Sequence, residues 1–348
     1  MLSWQQYIRP HILKIKAYSS ARDEFSGAAK VFLDANENPF DQANAGWNRY
    51  PDPHQLAIKQ KLSYIKQVPA EQIFIGNGSD EAIDLLYRIF CEPGKDAVIT
   101  CPPTYGMYGV SAAIHNVENV LVPLTTGYQL NTKAIIEAAN ERTKMLFICS
   151  PNNPTGNSLK VDDITFLLQN FKGIVVVDEA YIDFSAQESW TSALSQYDNL
   201  VVMQTMSKAW GLASVRLGMA FAHAELIAVL DKVKPPYNIS GPNQKIVLAA
   251  LLDEDKVKQQ VSDILAQREW LASQLAAVKG VKKIHPTDAN FLLVEISDAH
   301  KKYHQLTDKG VVVRDRSNVT LCGDCLRITV GTEEENKLLV EVLAALLD

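Results

Sequence analysis

The chain is short of cysteine, of long apolar runs and of positive charge, and each shortage excludes a class. Five cysteines (Cys91, Cys101, Cys149, Cys322 and Cys325) are scattered over 348 residues. An odd and sparse set argues against a disulfide framework and fits a reducing cytoplasm. No stretch approaches the ~18–20 apolar residues of a spanning helix. The segment Met1 to Lys16 is broken by Arg9, Pro10, His11 and Lys14, so it does not read as a signal peptide. The expectation is a cytoplasmic protein with no membrane partner. Lys and Arg number 34 against 40 Asp and Glu, a net charge of −6, which leaves no basic footprint for nucleic acid. Repeats and low-complexity tracts are absent. So are GxSxG and GxxxxGK[ST], which removes serine-hydrolase and P-loop readings.

What remains is an ordinary globular composition, 47% apolar and 21% charged, on a chain long enough for two domains without disulfide or metal staples. A small-molecule enzyme is the default for that size. Cys322-Gly-Asp-Cys325 is a single CxxC with no second pair or spaced histidines, and it runs straight into the strand-like Leu326 to Val330. Buried thiols are therefore expected there, and no metal.

Short β-rich, mostly apolar runs recur between residues 70 and 230. They are Gln72 to Ile75, Ala97 to Thr100, Met145 to Ile148, Ile174 to Val177 and Leu200 to Met203. Strands buried on both faces read this way, so the pattern predicts a mostly parallel sheet flanked by helices. Lys232-Val-Lys-Pro-Pro236 and Gly241-Pro242 interrupt the chain. A long helix follows, with Val257, Val261, Ile264, Leu265, Leu271 and Leu275 on one face. Strand-like Asn290 to Ile296, helical Ala299 to Asp308, and strand-like Val311 to Val313 and Leu326 to Val330 predict a smaller α+β unit. Thr332 and Glu335 form a capping box for a last helix. The resulting division is 46–240 for the large domain, with 1–45 and 241–348 as an N-terminal arm and a small substrate-reading domain. The first ~45 residues lack the sheet pattern and are expected to pack on the small domain.

The candidate chemistry begins at Lys208, just after an apolar strand and flanked by Met206, Ala209 and Trp210. Taken alone it reads first as a surface lysine on a loop. Poor solvation there would instead depress its proton affinity and make it a Schiff-base nucleophile. Asp178 ends a buried strand, at the edge where open α/β sheets bind ligands. A lone carboxylate in that place needs a partner, and a protonated pyridine nitrogen, a metal or a ribose would serve. Tyr181 offers a hydroxyl nearby. Gly76-Asn-Gly78-Ser79-Asp80 lies between a strand and a helix, where glycines admit a phosphate and Ser79 or Asp80 can cap the helix. Arg216 offers a bidentate anion contact or a surface ion pair. Asn153, in Pro151-Asn-Asn-Pro-Thr-Gly156, offers an amide, and Tyr105 offers a flat ring. Pyridoxal 5′-phosphate uses all of these features together.

These residues resemble a known family. Thr205-Met-Ser-Lys208-Ala-Trp-Gly-Leu-Ala-Ser214 is similar to the lysine signature of class II pyridoxal-phosphate-dependent aminotransferases. Asn153-Pro-Thr-Gly156, Asp178-Glu-Ala-Tyr181 and Arg216 match the fold-type I pattern in order. Leu33-Asp-Ala-Asn36-Glu-Asn-Pro39, Arg49-Tyr50-Pro-Asp-Pro53, Gly76 to Glu81 and Leu326-Arg327-Ile-Thr-Val-Gly331 extend the likeness to the histidinol-phosphate aminotransferase family over nearly the whole chain.

The resemblance implies a fold-type I α/β enzyme, a large mostly parallel sheet domain plus a smaller α+β domain. It implies pyridoxal 5′-phosphate as cofactor and transamination between L-histidinol phosphate and 2-oxoglutarate in histidine biosynthesis. A threonine-phosphate decarboxylase or an aromatic-amino-acid aminotransferase on the same scaffold is the alternative. By the same resemblance Lys208 carries the cofactor, Asp178 pairs with its ring nitrogen, and Asn153 and Tyr181 bond the ring oxygen. Tyr105 stacks on the ring. Gly78, Ser79, Asp80, Ser207 and Arg216 hold the phosphate, Asp80 through its backbone N–H. Tyr50 reaches the neighbouring subunit's phosphate in a homodimer. Tyr18, Asn36, Arg314 and Arg327 face the substrate, with Arg316 an alternative to Arg314 on the same strand face.

Overall fold

The buried apolar runs pair into one seven-stranded sheet in the computed structural model, which describes residues 4–19, 25 and 29–347. Its strands are β1 (Ile73–Asn77), β2 (Ala97–Thr100), β3 (Glu118–Leu121), β4 (Thr143–Cys149), β5 (Ile174–Asp178), β6 (Leu200–Thr205) and β7 (Leu217–Phe221). The order is β1-β7-β6-β5-β4-β2-β3. β7 runs antiparallel to both neighbours, and the other pairs are parallel. Side chains alternate between two cores. Ile75, Ile99, Leu146, Val175 and Val202 enter one, and Phe74, Val98, Phe147, Val176 and Met203 enter the other. Both faces are thus covered, which is why the strand sequences carry no polar alternation.

Two strands have no counterpart in the sequence reading. β3 is an edge strand, only partly buried, and its Glu118-Asn-Val-Leu sequence lacks an apolar run. β7 carries Gly218, a residue that weakens a strand signal. Here its hydrogen is required, because a Cβ would lie 2.1 Å from the backbone nitrogen of Ser79.

The second unit is an antiparallel sheet of β8 (Val281–Ile284), β9 (Phe291–Ile296), β10 (Arg314–Asp315) and β11 (Cys325–Thr329), in the order β10-β11-β9-β8. Leu292, Val294, Leu326 and Ile328 from one face join Leu271 and Leu275 of helix Glu254–Ala277 and Leu339 and Leu343 of helix Glu333–Leu347. The capping box forms: Thr332 N–H donates to Glu335 Oε2 at 2.8 Å, and Glu335 N–H to Thr332 Oγ1 at 3.3 Å.

Three expectations need correction. Val311 to Val313 are irregular, and strand pairing starts only at Arg314. Ser79 and Asp80 do not cap their helix. Gly78 stands at the cap without a side-chain bond, and the Glu81 carboxylate instead accepts the Asn77 N–H. The start of the N-terminal arm packs on the large unit rather than the small one. Trp4, Ile8 and Ile12 are buried among Leu226, Leu230 and the helix Ser79–Phe90, and Arg9 pairs with Glu92 at 2.9 Å. Ile8 precedes the short helix Pro10–Lys14 and Ile12 lies within it, and both are buried against that surface.

Topology decides what meets what. The carboxyl ends of β1, β4, β5 and β6 deliver Gly78, Asn153, Asp178 and Lys208 to one edge of the sheet. Because β7 is antiparallel, its start lies at that edge, so Arg216 arrives there too.

Candidate active site

At this edge a cavity of about 640 Å³ opens between the large sheet and the β10–β11 end of the small one. Lys208, Asp178, Tyr181, Asn153, Tyr105, Ser79, Asp80, Ser207, Arg216, Arg314, Arg316 and Arg327 all line it.

Asp178 forms its base, fully buried. Oδ1 accepts the Ala180 N–H at 3.1 Å and Oδ2 the Tyr108 hydroxyl at 2.6 Å. Burial pushes its pKa up to about 6, and these two donors pull in the opposite direction. Lys208 Nζ stands 5.6 Å from the centre of the Tyr181 ring. Its proton affinity is lowered, first by burial and next by the like charge of Arg327. Asn153 Nδ2 donates to Tyr181 Oη at 3.3 Å, while Arg327 Nη1 donates to Asn153 Oδ1 at 2.5 Å. The amide therefore couples the two sheets.

One wall is a cradle for an anion. Helix Ser79–Phe90 starts here, and the amides of its first turn have no intrahelical acceptors. The guanidinium of Arg216 lies over Gly78: a Cβ on Gly78, whose φ is +75°, would meet Arg216 Nη2 at 2.7 Å. Gly78 contributes space rather than a donor, since its N–H is bonded to the Arg216 carbonyl at 2.8 Å. Arg216 Nη1 also donates to Ser207 Oγ at 3.4 Å. The Asp80 carboxylate is turned to Arg216, at 3.5 Å, and accepts the Tyr105 hydroxyl at 3.1 Å.

The opposite wall is cationic. Arg314 and Arg327 are direct partners across the β10–β11 ladder. Like charges in that register repel, so the pairing is one that stability alone would not select. Arg316 follows two residues on, with its backbone N–H bonded to the Cys325 carbonyl at 2.9 Å. Its Nε is buried without a partner. Burial and the neighbouring Arg327 and Arg314 push its proton affinity down to about 10. Among the described residues, none of these three guanidiniums is in a salt bridge.

Three sequence-predicted residues lie elsewhere in the single chain. Tyr50 is half exposed and stacked on Tyr237 at 4.4 Å, and with Asn36 it lines a second hollow beside the helix Gly241–Leu251. Tyr18 is 70% exposed and outside the cavity. The CxxC thiols are buried, and burial pushes Cys322 up to about 11 and Cys325 to about 12. Among the described residues no group of His, Cys, Asp and Glu is arranged to hold a metal. Sequence reasoning missed Tyr108. Its one available signal was its position three residues after Tyr105, at the start of a helix.

The donor set fits pyridoxal 5′-phosphate on the structure's own terms. A buried carboxylate with only neutral donors suits a pyridinium. A lysine of lowered proton affinity suits an aldehyde carbon. A helix start with a glycine cradle and Arg216 suits a phosphate monoester.

The family model for "Aminotransferase class I and II" matches residues 19–343. The histidinol-phosphate aminotransferase of Flavobacterium johnsoniae is 51% identical over 341 residues, 97% of each chain. Among solved structures, the histidinol-phosphate aminotransferase of Clostridium acetobutylicum superposes with a TM-score of 0.79 at 21% identity, covering 86% of this chain and 91% of that one. The Sinorhizobium meliloti enzyme, in complex with pyridoxal-5′-phosphate, gives 0.78 at 23%, covering 88% and 83%. With the same architecture, and with the match running through both units, the chain belongs to the class I and II aminotransferase family.

Proposed function

We propose that this chain transfers the amino group of L-histidinol phosphate to 2-oxoglutarate, yielding imidazole acetol phosphate and glutamate in histidine biosynthesis. The observation that carries the reading is the wall of Arg314, Arg316 and Arg327, none in a salt bridge among the described residues, facing a nucleophilic lysine across one cavity. Such a wall suits a substrate whose distal group is an anion, first a phosphate monoester and then a carboxylate. The high identity to a named histidinol-phosphate aminotransferase supports the same substrate.

Bound pyridoxal phosphate supplies an electrophilic carbon for the amino group and a ring that takes up the electrons left when the α-carbon loses its proton. The residues do the rest. Lys208 Nζ is the base that removes the α-proton, and its lowered proton affinity leaves more of it neutral near pH 7. With the cofactor bound, the Asp178 carboxylate would hold the proton on its ring nitrogen. Asn153 and Tyr181 would hold its ring oxygen, and Tyr105 would pack against the ring. The amides of Ser79 and Asp80, the Ser207 hydroxyl and Arg216 would hold its phosphate. Arg327 and Arg314 orient the substrate anion.

A homodimer completes this reading. Tyr50, Asn36 and Tyr18 lie outside the cavity of their own chain; Tyr50 and Asn36 share the second hollow with the exposed Trp47, and Leu33 and Phe40 are exposed as well. A second copy would cover that surface and carry Tyr50 to the neighbour's phosphate cradle.

The test is to add L-histidinol phosphate to the holoenzyme without an oxo acid and follow the cofactor's absorbance. Conversion to the amine form, reversed by 2-oxoglutarate, is expected. Carbon dioxide release from threonine phosphate, with no amine form from histidinol phosphate, would overturn the assignment.

A further inference from the structure

Asp178 accepts two hydrogen bonds, and only one comes from a side chain, that of Tyr108. Tyr108 is fully buried in the first turn of helix Met107–Ile114. Its ring is stacked on Phe147 at 4.8 Å and meets Tyr105 edge-on at 5.5 Å. Its backbone carbonyl accepts the Tyr87 hydroxyl at 2.8 Å. Ring and backbone are therefore held from separate sides, and the hydroxyl donates to Asp178, with the buried Cys149 thiol beside it. Phe147 is on β4 and Asp178 on the adjoining β5, so the stack is referenced to the strand that bears the carboxylate.

We propose that Tyr108 is a positioning residue for the transamination, whose hydroxyl keeps the Asp178 carboxylate ionised and turned toward the cofactor's ring nitrogen. The inference rests on the function proposed above. A phenol donates a strong hydrogen bond to a carboxylate and a weaker one to a carboxylic acid, so it favours the ionised form. A buried carboxylate deprived of that donor takes up a proton more readily. The proton shared with the ring nitrogen then shifts toward Asp178, and the ring becomes a poorer acceptor of electrons. No part of Tyr108 needs to touch the substrate.

The experiment compares holoenzymes of the parent, Tyr108→Phe and Tyr87→Phe, each loaded with cofactor labelled with 15N in the ring. Tyr87→Phe removes an equally buried hydroxyl from the same stack, the one bonded to the Tyr108 carbonyl, and leaves Asp178 its donor, so it reports the loss of packing and backbone support without the loss of that donor. For Tyr108→Phe, kcat should fall about 10–100-fold, the value of one hydrogen bond to a charged group, with KM for histidinol phosphate within about threefold. Its 15N resonance should move toward the unprotonated ring, while Tyr87→Phe leaves both readings near the parent. If Tyr108→Phe does not fold, 3-fluorotyrosine at position 108 keeps ring and hydroxyl but donates more strongly, and should move the resonance the opposite way. An unmoved resonance in the variant that folds, or an equal loss of kcat in Tyr87→Phe, overturns the proposal. The 15N reading does not depend on which amine is the substrate. A moved resonance in an enzyme inert to histidinol phosphate would sink the substrate assignment and leave Tyr108's role standing.

Discussion

At the scale of single residues, the cavity joins a carboxylate that burial makes reluctant to ionise to a lysine that burial makes reluctant to hold its proton. Each is costly in the empty fold and useful to a cofactor that brings the complementary charge. Asp178 has a raised pKa in the fold. Its ordinary value is 3.8 and its value in the fold about 6, so its ionised form opposes folding. That opposition is absent below about pH 4 and complete above about pH 6. In cofactor-free protein, Asp178→Asn should therefore be more stable than the parent at pH 7, by up to about 3 kcal/mol, and the gain should vanish near pH 4. Urea unfolding at the two pH values checks this. Lys208→Ala should lower turnover by at least about a thousandfold, since nucleophile and base are lost together. Turnover at the parent rate would remove Lys208 from the chemistry. Asp178, Lys208 and Asn153 were legible in the sequence because each follows a recognisable strand. Tyr108 was not, because its partner is 70 residues away and only the fold closes that gap.

At the scale of elements, the helix starts and strand registers decide the site. β7 meets the start of helix Ser79–Phe90 through Gly218, whose position against Ser79 leaves no room for a methyl group. Gly218→Ala should displace the start of helix Ser79–Phe90, lower stability by about 1–3 kcal/mol and loosen cofactor binding. Thermal unfolding and dialysis against pyridoxal phosphate would show both. The last helix offers a contrast, since its capping box is far from the chemistry. Thr332→Ala should lower stability by about 1 kcal/mol with kcat unaltered. Registers are poorly legible in sequence because they depend on a partner strand. The periodicity at Val311 to Val313 suggested a strand, yet pairing falls at Arg314, which is thereby set opposite Arg327. The sequence left Arg314 and Arg316 as alternatives, and the fold gives both a place on the cavity wall.

At the scale of the whole molecule, the homodimer proposed above, with Tyr50 shared between sites, is open to a direct test. A Tyr50→Phe chain and a Lys208→Ala chain, each impaired alone, should regain part of the activity when mixed. Each mixed dimer then holds one site in which both residues are intact, provided Tyr50 acts across the interface. Activity that stays at the level of the separate variants would argue that Tyr50 serves its own chain. The start of the N-terminal arm belongs to this scale as well. Trp4, Ile8 and Ile12 clamp it to the large unit.

The chain's own order of residues determined the strands, because runs such as Ile174 to Val177 can be buried only in a sheet covered on both faces. It also determined where Asp178 and Lys208 lie, because they stand at and just after the ends of such strands. Tertiary structure alone decided which side chains meet across elements: Tyr108 with Asp178, Arg327 with Asn153, Arg314 with Arg327 and Arg216 over Gly78. Local pattern reports how a segment is buried. Contacts between distant segments depend on strand order, direction and register, which are set by the packing of the whole core.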